Sequence, residues 1–162
     1  MTTVSRPITN IRVLSPSRKR RRAGDIFALQ VRDGEYLFGR LVSTEARVGG
    51  FPNCHLIYIY KTVSSDKKNI PELKVSDILL PPIAINQKPW TLGYFECVGY
   101  RPLQKSDLLD RHCFFDGNKY FDERGEEIPR PHSEPISEDA LHSYRSFDDV
   151  LSIALELPLA AA

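Results

Sequence analysis

For most of its length the chain alternates short apolar runs with clusters of turn-forming residues, and only near its end do the apolar positions take a helical spacing. Ile26-Phe27-Ala28-Leu29-Gln30-Val31 is β-prone and mostly apolar, and Arg32-Asp33-Gly34 supplies the Asp-Gly pair that tight hairpins need. Glu35-Tyr36-Leu37-Phe38-Gly39-Arg40-Leu41-Val42 answers as the second strand, with Gly39 predicting a bulge or bend. After a loop containing Gly49-Gly50, residues 54–61 predict a third strand, and 64–71 a loop. Residues 72–80 read as a short helix or turn stopped by Pro81-Pro82, then Ile83-Ala84-Ile85 as a short strand. Leu92 to Tyr100 predicts a further strand behind Trp90, and Asp116-Gly117-Asn118 the turn of a hairpin joining Cys113-Phe114-Phe115 to Lys119-Tyr120-Phe121.

Beyond a proline-rich linker over 129–136 the period changes. Ser137 before Glu138-Asp139 reads as a helix start, and Leu141, Tyr144, Val150, Leu151, Ile153, Ala154 and Leu157 predict one or two amphipathic helices ending before Pro158, the second capped by Ser146. The expected organisation is an irregular basic leader over 1–23, one domain over 24–157 and a tail over 158–162. Within the domain, 24–128 is the β-rich part and 137–157 the helical cover. The fold class is α+β and mainly β, a strongly bent antiparallel sheet or small open barrel with one or two C-terminal helices.

The 162 residues fit one domain, and 41% hydrophobic with 27% charged residues is the composition of a globular chain. Nothing approaches the ~20 apolar residues of a spanning helix, and no signal peptide is evident, so a cytoplasmic protein is expected. Three cysteines without paired spacing predict reduced thiols. The net charge of +1 conceals an asymmetry: Lys and Arg outnumber Asp and Glu ten to four in residues 1–60, and are outnumbered five to thirteen in 106–162. The run Arg18-Lys19-Arg20-Arg21-Arg22 reads first as a solvated, partly disordered arm that discourages edge pairing, since no aromatic residue interleaves it to stack bases.

Catalytic chemistry finds little support. Cys113 beside His112, and Ser133 beside His132, are neighbours in sequence, and neighbours on a strand face opposite ways. His112 is expected at the surface and Cys113 in the core. Asp122, Glu123, Glu126 and Glu127 read as a solvated acidic loop, no cluster has metal-ligand spacing, and Gly49-Gly50 lacks the residues of a phosphate cradle. Trp90 is expected in the core or at the rim of the sheet. No enzyme activity, cofactor or metal is expected.

The pairing of Gly24-Asp25-Ile26-Phe27-Ala28 with Tyr36-Leu37-Phe38-Gly39-Arg40-Leu41 resembles the opening of the immunity protein 26 family. Ile57-Tyr58, Pro81-Pro82-Ile83, Trp90 and Val98-Gly99-Tyr100-Arg101-Pro102-Leu103 follow in the order that family shows, so the resemblance spans roughly residues 17–130. It implies an antidote of a bacterial polymorphic-toxin or contact-dependent inhibition system, binding the toxic C-terminal domain of a cognate effector and blocking its active site or target-binding surface. Gly24, Asp25, Phe27, Gly39, Arg40, Trp90 and Gly99 would then be scaffold. The expected contact surface is acidic, formed by Asp116, Asp122, Glu123, Glu126, Glu127, Glu134, Glu138 and Asp139, because many toxins act on nucleic acid through basic clefts. The alternative is a small barrel that binds nucleic acid through Arg18 to Arg22. A weaker third reading is a hydrolase or transferase built on Cys113 or a histidine.

Overall fold

Why the strands read as nearly continuous apolar runs is answered by the way the main sheet is covered: both of its faces are buried. In the computed structural model, which describes residues 8–160, β1 (Asp25–Arg32), β2 (Glu35–Val48), β3 (Phe51–Ser64), β4 (Ile83–Ile85) and β5 (Glu96–Tyr100) form an antiparallel sheet in the order β4-β3-β2-β1-β5. Alternate residues serve opposite cores. Phe27, Leu29, Leu37, Leu41, Ile57 and Ile59 pack with Trp90, Phe95, Phe147 and Leu151. Ile26, Ala28, Phe38, Leu56, Tyr58 and Tyr60 pack on the other face with Leu73 and Phe114. A sheet buried twice needs apolar residues at consecutive positions, which hides the period-two signal.

β2 and β3 run well past the expected 35–42 and 54–61. Their tip is a two-residue Gly49-Gly50 turn with both φ angles positive, at 61° and 82°, the geometry that matches the twist of the flanking strands. Register shifts recur along this pair, and one falls between Leu37 and Gly39, where the sequence predicts a bulge. Gly39 lies opposite Phe27 on β1, and a Cβ there would overlap the Phe27 ring and approach Ile59 Cδ1 to 2.9 Å. The sheet bends where an aromatic ring lies across bare backbone. Among the described residues it does not close into a barrel.

The second sheet has the order β8-β7-β6-β9, with β6 (Cys113–Phe115), β7 (Tyr120–Phe121), β8 (Glu127–Ile128) and β9 (Ile136–Glu138). The 113–121 hairpin is as predicted. Residues 137–139, expected to begin a helix, instead continue or follow β9, which pairs parallel to β6. Strand pairing by Ile136 and Ser137 outweighs the local acidic start signal. One helix follows, α2 (Tyr144–Ala154), capped by Ser143 rather than Ser146; Ser143 Oγ accepts from Ser146 N–H and Ser146 Oγ accepts from Ser143 N–H. The short α1 (Lys88–Thr91) carries Trp90, and the strand after it begins only at Glu96, not Leu92. Residues 75–77 form a single 3₁₀ turn within the stretch read as helix or turn.

Residues 1–7 of the predicted leader and the last two residues of the tail lie outside the described residues. From Ile8 to Ala23 the chain has no regular secondary structure, yet it is tied down. Asn10 and Ile11 N–H donate to the buried Asp148 carboxylate on α2, Arg12 N–H to Gln30 O where β5 no longer pairs with β1, and Ser17 N–H to Trp90 O. No helix among the described residues is long and apolar enough to cross a membrane.

Candidate functional site

The residues shared with the family motif converge on one corner of the main sheet. Gly24 has φ +103°, and a Cβ there would meet Arg101 O at 2.7 Å, because Arg101 N–H donates to Gly24 O. Asp25, buried, accepts the Arg22 N–H at 3.0 Å and faces the Arg22 guanidinium at 3.6 Å. Phe27 stacks on Phe95 and meets Trp90 edge-on. Arg40 is 1% exposed; it pairs with Asp107 at 3.1 Å and donates to Arg101 O at 2.7 Å. That ion pair fixes the crossing from β5 over the end of β2, and it was not foreseen in the sequence. Its signal was a lone cation inside the apolar run Leu37 to Val42. Gly99 packs against Ile70, where a Cβ would lie 3.0 Å from Ile70 Cδ1 and push that methyl aside. Trp90 is 2% exposed and sits in the core.

All eight acidic candidates lie on or beside the second sheet, at its two ends. At one end, Asp116 closes the β6–β7 turn by accepting Asn118 and Lys119 N–H, and Asp139 accepts Gly49 N–H at 2.9 Å, joining this sheet to the β2–β3 tip. Glu138 lies beside His142, with Oε2 3.5 Å from Nε2. At the other end, Asp122 accepts Arg124 and Glu126 N–H, Glu127 faces Lys119 at 3.9 Å, and Glu134 accepts His132 and Ser133 N–H. Backbone donors hold the exposed Asp116 and the half-buried Glu134 carboxyls below their ordinary values. Four of the eight therefore brace turns with one carboxylate and still present negative charge outward. Glu126 is exposed on the β7–β8 turn.

His112 corrects the expectation of a surface residue: it is 7% exposed. Its Nε2 lies 2.6 Å from Tyr58 Oη on β3, and its Nδ1 3.6 Å from Glu123 Oε2. The Glu123 carboxylate can only accept, which favours the imidazole proton on Nδ1, and with that tautomer Nε2 accepts from the Tyr58 hydroxyl, whose oxygen also accepts Leu109 N–H. Burial lowers the His112 pKa more than Glu123 raises it, and burial pushes Tyr58 up to about 12. The three groups join the second sheet to the first, fifty-four residues apart in sequence, a separation no local pattern could reveal. Cys113, next to it, is buried in the core as expected, and burial raises its thiol pKa. A raised, buried thiol is a poor nucleophile. Cys54 is buried, Cys97 exposed, and all three are free. Among the described residues no group of His, Cys, Asp and Glu is placed to hold a metal.

The described residues thus form a bent sheet with a smaller acidic sheet on one side. The chain belongs to the immunity protein 26 family, whose model matches residues 22–122. No curated protein and no solved structure is significantly similar to it. The matched span holds the main sheet and β6–β7 and stops at Asp122, so Glu123, Glu126, Glu127, Glu134, Glu138 and Asp139 lie beyond it.

Proposed function

We propose that the chain is a cytoplasmic immunity protein that binds the toxic C-terminal domain of a cognate bacterial effector in a polymorphic-toxin or contact-dependent inhibition system. It acts by occlusion and performs no reaction of its own. The single observation that carries this reading is the match of an immunity family over the whole main sheet. The acidic second sheet supports the choice of surface. Asp116, Asp122, Glu123, Glu126, Glu127, Glu134, Glu138 and Asp139 offer carboxylates, four of them fixed by hydrogen bonds to backbone, and such a field steers a basic cleft toward it. Most of these residues lie outside the family match, where a surface matched to one particular toxin is free to differ from its relatives.

Charge reversal at Glu126 and Glu127 tests the surface, since neither carboxylate closes a turn. The variant is expected to bind the purified toxin domain at least about tenfold more weakly, with the larger part of the loss in the association rate. Unchanged affinity would remove this end of the acidic sheet from the interface while leaving the immunity reading intact.

A further inference from the structure

We infer that the Arg18–Arg22 segment, together with Asn53 and Gln87, forms a second binding cleft, one that holds an acidic peptide segment of a protein partner. The inference stands apart from the toxin-binding reading, because the cleft lies on the main sheet and the acidic residues on the other.

The segment is a ridge between two grooves. One, of about 870 Å³, is lined by Arg18, Arg20, Arg21, Asn53, His55 and Gln87, with Glu45 at its wall. The other, of about 770 Å³, is lined by Lys19, Arg21, Arg22, Trp90 and Tyr100, with Asp25 and Glu96. The ridge is held in place. Ser17 N–H donates to Trp90 O, Arg21 donates to Lys19 O and Gln87 Oε1 while lying over the Trp90 ring, and Arg22 is clamped by Asp25 with its guanidinium 3.5 Å above Tyr100. Arg18, Lys19 and Arg20 have no carboxylate partner among the described residues. Arg21 Nε is a buried donor that no protein atom satisfies. Cations fixed in advance lose little freedom on meeting an anion.

Asn53 shapes the wall of the first groove. It adopts φ 55°, a left-handed conformation that Asn tolerates better than other side-chain-bearing residues, within a register shift of the β2–β3 pair at the cleft wall. Backbone of this kind concentrates at binding sites. The amides of Asn53 and Gln87 and the Thr44 hydroxyl supply neutral hydrogen-bonding groups suited to a peptide backbone.

The same walls argue against a nucleic acid. Trp90 is buried beneath Arg21, and the exposed Tyr100 carries the Arg22 guanidinium over its ring, so no open aromatic pair is presented to successive bases. Glu45, which has no cation partner among the described residues, interrupts the basic wall and opposes a continuous run of phosphates more than a few spaced carboxylates.

The test titrates the full chain against a labelled peptide of about ten residues alternating Glu and Ser, at about 50 mM and about 200 mM salt, by fluorescence anisotropy. Emission from Trp90, the chain's one tryptophan, which lies beneath Arg21, gives a second readout. Saturable binding that Arg18→Glu/Arg20→Glu weakens at least about tenfold, and Arg18→Gln/Arg20→Gln weakens less, with unchanged melting temperature, is the expected result. Both residues are exposed, so folding is not at stake. Absent saturation, or equal binding by the reversed variant, overturns the cleft. Tighter binding of a single-stranded oligonucleotide of equal charge overturns the peptide assignment.

Discussion

At the scale of single residues, three positions carry more of the fold than their side chains suggest. Gly39 is needed because the Phe27 ring occupies the place of a side chain. Gly39→Ala is expected to cost about 1–3 kcal/mol by forcing that ring aside, measured by urea unfolding. Arg40 and Asp107 predict an asymmetry. Asp107→Ala leaves a guanidinium that is 1% exposed without its counter-ion, and is expected to be more damaging than Arg40→Met, which removes the charge and keeps the bulk. Equal losses would mean that the pair is not an electrostatic unit. His112 makes the third case. Its folded pKa is depressed below the ordinary 6.5, chiefly by burial, as are those of His55 and His142. A depressed histidine gives stability that is present above the unfolded value and lost as pH falls through the folded one. Unfolding free energy is therefore expected to decline as pH drops below 6.5, and His112→Gln to flatten part of that decline. A pH series of denaturant melts reads both.

The elements differ in how far local sequence specifies them. β1, its turn and the start of β2 were legible because Asp33-Gly34 and the bulge at Gly39 are local signals. The extension of β2 to Val48 was not, since residues 43–48 read as polar while Ala46 and Val48 are buried beneath the second sheet. The same competition explains β9: Ser137-Glu138-Asp139 has helix-start chemistry, but parallel pairing with β6 claims it. Helix α2 was legible by its spacing and displaced at its start: Ser137 is claimed by β9, and the cap is Ser143, three residues before the expected Ser146. Ser143→Ala is expected to cost about 1 kcal/mol by thermal unfolding. Asp148, which clamps Asn10 and Ile11, was hidden because its partners lie more than a hundred residues away. Asp148→Ala is expected to free residues 8–16, seen as faster amide exchange at Asn10 and Ile11 with the main sheet still protected.

For the whole molecule, the charge asymmetry in the sequence becomes a spatial one. The acidic residues gather on the second sheet, and the arginines on a ridge of the first. Composition alone showed the two blocks, but not that the basic one is laid against Trp90 and Tyr100 rather than left as a solvated arm. The family was legible from short motifs because those residues meet at one corner of the main sheet, where close backbone approach and a buried ion pair constrain them. The partner was not legible, because a contact surface is defined by the shape and charge of another molecule. The most direct test of the central claim is growth of cells expressing the toxic domain of the neighbouring effector, with and without this chain. The account predicts restored growth and a stable complex of the two on a sizing column. Continued killing with both proteins soluble and no complex formed would contradict it.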